Sequence, residues 1–222
     1  MKKTGILTIL SISACCILLS FNPGKAYATT ANLVFTGGTG AGDAYPYSFT
    51  VDGVPVSLMC ISDFTYIQGN ESWTADVYRP STAPLSGPGD PVSSSGVNTQ
   101  DFLAAAWLFD DAAADPASAL LDNEEAWYIF DQNGPNSGNT AAVILANSYL
   151  FDPWLKDPGN VVVYIWDGNP SDITNQYGND DPQVFLGRVT PEPGSLLLLG
   201  SGMLLFAGLL YRRSRTASGR LS

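Results

Sequence analysis

The chain has 222 residues, 45% of them hydrophobic, and a formal net charge of −11. It contains no histidine, which removes the commonest general base near neutral pH, the usual zinc ligand, and serine–histidine and cysteine–histidine catalysis. The acidic balance, with no basic patch in the body of the chain, excludes nucleic acid as a partner.

Taken in chain order, the first 28 residues form a targeting segment. Lys2 and Lys3 precede an apolar stretch from Ile6 to Phe21, and Ala26-Tyr27-Ala28 supplies an A-x-A site. This is the pattern of a secretory signal peptide, cut by signal peptidase between Ala28 and Thr29. Ile12-Ser13-Ala14-Cys15 loosely resembles a lipobox, an alternative that the apolar residues after Cys15 disfavour.

Residues 29–190 are expected to form one exported domain, large enough for its own core. Its only bases are Arg79, Lys156 and Arg188, against 20 carboxylates, a net charge of −17. Asp63, Asp110-Asp111 and Asp180-Asp181 are carboxylates that could serve a hard divalent cation. No calcium-loop motif joins them, so neither metal nor cofactor is expected.

The first strand is expected at Ala31–Phe35. Tyr45, Tyr47, Phe49 and Val51 then alternate with polar or small residues. Asp52-Gly53 signals a two-residue type I′ turn, and Val54, Val56, Leu58 and Cys60 alternate onward. This hairpin pairs Val51 with Val54, Phe49 with Val56, Tyr47 with Leu58 and Tyr45 with Cys60, all on one core-facing side. Cys60 is the single cysteine left once Cys15 and Cys16 leave with the signal peptide, so no internal disulfide forms.

A further strand is expected from Trp73 to Arg79. Residues 80–98, rich in Pro, Gly and Ser, are expected as a mobile loop. Three helices follow. Thr99 caps the first, through Asp111, burying Phe102, Ala106 and Trp107. Asp115-Pro116 opens the second, to about Gln132, and the third runs from Thr140 to about Phe151. Val161–Asp167 and Gln183–Val189 are closing strands. Of the five tryptophans, Trp154 alone reads as partly exposed. The expected fold is α+β: an antiparallel β-sheet with about three α-helices packed on one side, flanked by the signal peptide and a C-terminal transmembrane helix.

Residues 191–222 are the last segment. Pro191-Glu192-Pro193 is followed by residues 195–211, a charge-free run just long enough to span a bilayer as helix. Arg212, Arg213 and Arg215 then begin a basic tail, 212–222, that holds the C-terminus inside. This order resembles the PEP-CTERM sorting domain. The resemblance implies recognition by an exosortase-type processing enzyme at Pro191, Glu192 and Pro193. It also implies membrane anchoring with the domain outside, then release to the cell surface or an exopolysaccharide-rich matrix.

A second resemblance runs through the exported domain. Leu58-Met59-Cys60-Ile61, the helix around Ala104-Ala105-Ala106-Trp107 and the later Glu124-Glu125-Ala126-Trp127 are similar in order to bacterial thioester adhesin domains. In those domains a cysteine bonds a glutamine, and the thioester reacts with outside nucleophiles. Aligned on Ala126, the glutamine position falls on Glu124 and the preceding threonine on Asn123. The Cys60–Glu124 pair therefore implies a degenerate, non-crosslinking relative. The combined expectation is an exported, non-enzymatic surface or matrix protein, with a carbohydrate-binding or adhesin-like module as the alternative.

Overall fold

The computed structural model describes residues 30–40, 44–62, 67–89, 92, 96–133, 138–174, 181–188 and 200–206. Among these residues there are six strands: β1 Thr30–Phe35, β2 Tyr47–Val51, β3 Val54–Cys60, β4 Ser72–Tyr78, β5 Val161–Trp166 and β6 Phe185–Arg188. Three α-helices lie between β4 and β5: α1 Thr99–Ala114, α2 Ala119–Phe130 and α3 Thr140–Leu150. Residues 200–206 form a separate helical stretch.

The antiparallel sheet expected of an α+β fold is present, and it closes on itself. All neighbours are antiparallel, and they close into a barrel in the order β1-β2-β3-β6-β5-β4. Two long-range pairings bring this about. Leu33 of β1 stands opposite Trp73 of β4, and β6 inserts between β3 and β5, with Cys60 opposite Phe185 and Val161 opposite Arg188. Closure satisfies the backbone groups that an open sheet would leave at its edges.

The β2–β3 hairpin forms in the expected register for three of its four pairs: Val51–Val54, Phe49–Val56 and Tyr47–Leu58. Asp52 and Gly53 both have positive φ, at 50° and 79°, as a type I′ turn requires. The fourth pair fails. Tyr45 leaves the strand before a cis Tyr45–Pro46 bond and packs on Phe109 of α1, ring centroids 5.7 Å apart.

The barrel separates two cores. Its interior holds Leu33, Phe35, Tyr47, Phe49, Leu58, Cys60, Trp73, Tyr164 and Phe185 among others. Phe49 meets Phe185 at 4.7 Å and Trp73 at 5.9 Å between centroids, in the tilted and edge-on contacts that aromatic quadrupoles favour. Gly187 makes room for this filling. A Cβ there would stand 2.5 Å from Leu58 Cδ2 and 2.9 Å from Tyr164 Cε2.

The outer core joins the helices to the other face of β3, β5 and β6 through Met59, Ile61, Val161, Val163, Ile165, Val184 and Leu186. β5 is buried along its whole length because its even positions fill the barrel and its odd positions meet the helices. An unbroken apolar strand is the signature of such two-sided burial.

The helix boundaries differ from expectation in informative ways. The cap of α1 is Asn98, not Thr99: its side chain accepts from Gln100 N, and Asp101 closes a capping box. Trp107 is only partly buried, with its Nε1 donating to Lys156 O. Asp115 ends α1 rather than opening α2. Its Oδ1 accepts from Ala117 N, so Asp-Pro makes a turn and α2 starts at Ala119.

Within 80–98, Pro80, Ala83 and Val92 are buried, the last two in the outer core. The signal peptide and most of the tail lie outside the described residues. Among those described, no helix is long and apolar enough to cross a membrane. Of the expected 195–211 span, 200–206 is helical, with Met203, Leu204, Leu205 and Phe206 exposed.

Candidate functional site

Cys60 ends β3, and its side chain points into the barrel with no solvent exposure. Its Sγ lies 3.1 Å from Gln183 Oε1 and 2.7 Å from Ser62 O, within donating range of both. Ser62 N–H donates back to Sγ at 3.4 Å. Gln183 is itself 5% exposed and lies just before β6. Cys60 faces Phe185 across the β3–β6 ladder, and Ile61 N continues it to Val184 O at 3.1 Å. Sheet closure therefore brings a thiol and a carboxamide together although 123 residues separate them.

The helical layer braces this place through Asn123 of α2, which is fully buried. Its Nδ2 donates to Cys60 O at 2.8 Å, and its Oδ1 accepts from Tyr45 N at 2.7 Å. One side chain thus satisfies two main-chain groups that neither strand ladder reaches.

These contacts revise the expected pair. Glu124 does not serve Cys60: its Oε2 accepts from Asn139 Nδ2, at the cap of α3. The residue of α2 that reaches the cysteine strand is its neighbour Asn123, and the group facing the thiol is Gln183. Sequence reasoning passed over Gln183 because nothing in the run Asp181-Pro182-Gln183 marks it as a partner for a thiol. The available signal was a glutamine opening the last apolar strand.

The carboxylates considered for a divalent cation do not converge. Asp110 Oδ1 lies 3.4 Å from Arg188 in an ion pair, and Asp111 accepts from Tyr149 Oη at 2.5 Å. Asp181 Oδ2 lies 3.5 Å from Gly89 N. Asp63 and Asp180 lie outside the described residues. Among the described residues, no group of three or more metal-binding side chains could hold an ion.

Two carboxyls of α2, those of Asp122 and Glu125, are buried instead. Glu125 is 1% exposed, and its Oε1 has no hydrogen-bond partner. Burial, then the charges of Asp122 and Asp111, push its pKa up to about 8, so it carries a proton near neutrality.

Trp154 is 82% exposed and Phe151 80% exposed, in keeping with the expectation for Trp154. Ala28, Thr29, Pro191, Glu192, Pro193, Arg212, Arg213 and Arg215 lie outside the described residues.

At the C-terminus, residues 189–215 match the PEP-CTERM protein-sorting motif. The chain carries a PEP-CTERM sorting signal. That signal belongs to exported proteins sorted from a membrane-anchored state, and it implies recognition by an exosortase. No curated protein and no solved structure matches the chain. The PEP-CTERM match covers the tail and leaves the barrel to be read from its own geometry.

Proposed function

We propose that this PEP-CTERM protein is a non-enzymatic surface or extracellular-matrix protein whose barrel acts as an adhesin through an internal Cys60–Gln183 thioester. The observation that carries the reading is the 3.1 Å approach of Cys60 Sγ to Gln183 Oε1 in a buried setting. A thiol held against a carboxamide can attack its Cδ. The S–C bond forms, the C–N bond breaks, and the amide nitrogen leaves as ammonia with the thiol proton. Burial of both groups keeps water from hydrolysing the product.

A nucleophile reaching this thioester would take the Gln183 acyl group as an amide or ester and return the Cys60 thiol. The domain would then be fixed covalently to a surface component, with the envelope or its exopolysaccharide as the setting. This reverses the expectation of a dead site, which rested on Glu124 as the partner.

Intact-protein mass spectrometry tests the reading on chain secreted by its native host. The expected mass is lower than the processed sequence by one ammonia, about 17 Da, and the deficit disappears in both Cys60→Ala and Gln183→Ala. A wild-type chain of full mass, with Cys60 alkylated after denaturation, would refute it.

A further inference from the structure

α3 differs from the other helices in what it shows to solvent. α1 carries Asp101, Asp110 and Asp111, and α2 carries Asp122, Glu124 and Glu125, whereas Thr140–Leu150 contains no charged residue. Ala142 and Ala146 are buried, which marks the side that meets the rest of the domain. Ala141, Ile144, Leu145 and Ser148 are exposed. They fall at i, i+3, i+4 and i+7, one stripe of a helix, and Phe151, three residues beyond Ser148, extends it. Ile144 is 63% exposed and Leu145 42%. Four of the seven exposed large apolar side chains described before residue 190 lie within residues 144–154, so this surface is concentrated rather than scattered.

The stripe is dry and held in place. Ser148 Oγ donates to Leu145 O at 2.7 Å, so its hydroxyl is satisfied within the helix. Gln100 Nε2 donates to Tyr149 O at 3.1 Å and to Asp152 O at 2.9 Å, which pins the turn bearing Phe151 and Trp154 to the start of α1. Asp152 Oδ1 accepts from Trp154 N at 2.9 Å, and this carboxylate is thereby turned back on its own chain. A patch fixed in this way loses little freedom on being covered.

Charge and area decide what covers it. Residues 29–190 carry a net charge of −17, so two copies repel unless they meet through an uncharged face, and among the helices α3 is that face. Ile144, Leu145, Phe151 and Trp154 together expose roughly 600 Å². Pairing two such patches buries about 1,200 Å², the lower bound of a specific interface. The relief is also self-complementary. Ala141 and Ser148 leave hollows on either side of the Ile144–Leu145 ridge, and a twofold crossing of two α3 helices sets each ridge into the other's hollows.

We propose that α3, with Phe151 and Trp154, is a homodimerisation face, across which the exported domain pairs with a second copy of itself. None of these residues belongs to the Cys60–Gln183 site, so a dimer carries two such sites.

Sedimentation velocity on the mature chain secreted by its native host tests this, from about 1 to 100 μM. The expected result is a reversible monomer–dimer equilibrium that tightens as salt screens the acidic faces. Ile144→Glu and Leu145→Glu, both at exposed positions, should each weaken it at least about 30-fold, with the circular dichroism spectrum unchanged. A chain that stays monomeric throughout, a dimer indifferent to both substitutions, or a dimer that salt dissociates overturns the proposal. So does a monomer whose Trp154 emission shifts with added neutral polysaccharide, which assigns the face to a sugar instead. Each of these outcomes leaves the thioester reading untouched, because that reading stands or falls on the mass of the chain.

Discussion

Glu125 illustrates how little a residue's role follows from its identity. It is one of two adjacent glutamates in α2, yet Glu124 is half-buried and bonds Asn139 while Glu125 is buried near Asp122, with the exposed Asp111 close enough to act on its charge. Its carboxyl ionises near 4.5 in the unfolded chain and only at about 8 in the fold. Between those values the folded state binds more protons than the unfolded state, so stability falls as pH rises from about 4.5 to about 8. Asp122, also raised by burial, adds a slope of the same sign. The urea midpoint should therefore be lower at pH 9 than at pH 5, and Glu125→Gln should flatten that difference. An unchanged pH slope in Glu125→Gln would remove Glu125 as its cause. Which glutamate is buried depends on the phase of α2 against α1 and α3, and no pattern within Asp122–Trp127 declares it.

At the scale of elements, local signals were largely sufficient. The hairpin register followed from alternation and the Asp52-Gly53 turn, and all three helices occur close to their expected places. The departures have local causes: Asn98 caps through a box with Asp101 where Thr99 was expected, and Asp115-Pro116 completes a turn. What joins the elements was less legible. Asn123 links α2 to the end of β3 and to Tyr45, a role set only when helix and barrel pack. Asn123→Ala leaves a buried N–H and C=O without partners, at about 1–3 kcal/mol each. Chemical denaturation should show a loss of roughly 2–4 kcal/mol; a loss below about 0.5 kcal/mol, the level of a surface substitution, would contradict the bracing role.

At the scale of the whole molecule, the sorting tail and the barrel meet at Arg188. The PEP-CTERM match at 189–215 leads to a direct expectation for chain recovered from its native host. Its C-terminus should be cut near Pro191–Pro193, as read by intact mass and C-terminal peptide analysis. A mature chain still ending at Ser222 would defeat processing at this motif. The sequence led to an antiparallel sheet but not to its closure into a barrel, because strand order along the chain is legible and strand closure is not. The β1–β4 and β3–β6 pairings join segments whose apolar faces match, but many other pairings of such faces are equally compatible with alternation alone.

By itself, the amino-acid sequence determined what depends on neighbouring residues: the type I′ hairpin, the three helices, the exclusion of histidine chemistry and the sorting signal. Only the tertiary structure decided which glutamine meets Cys60. Turn, cap and periodicity act over a few residues, whereas Gln183 reaches Cys60 across 123 positions. That approach exists because burying aromatic rings inside a closed barrel forces β6 against β3, and the benefit of that closure is shared by every strand rather than written in any one of them.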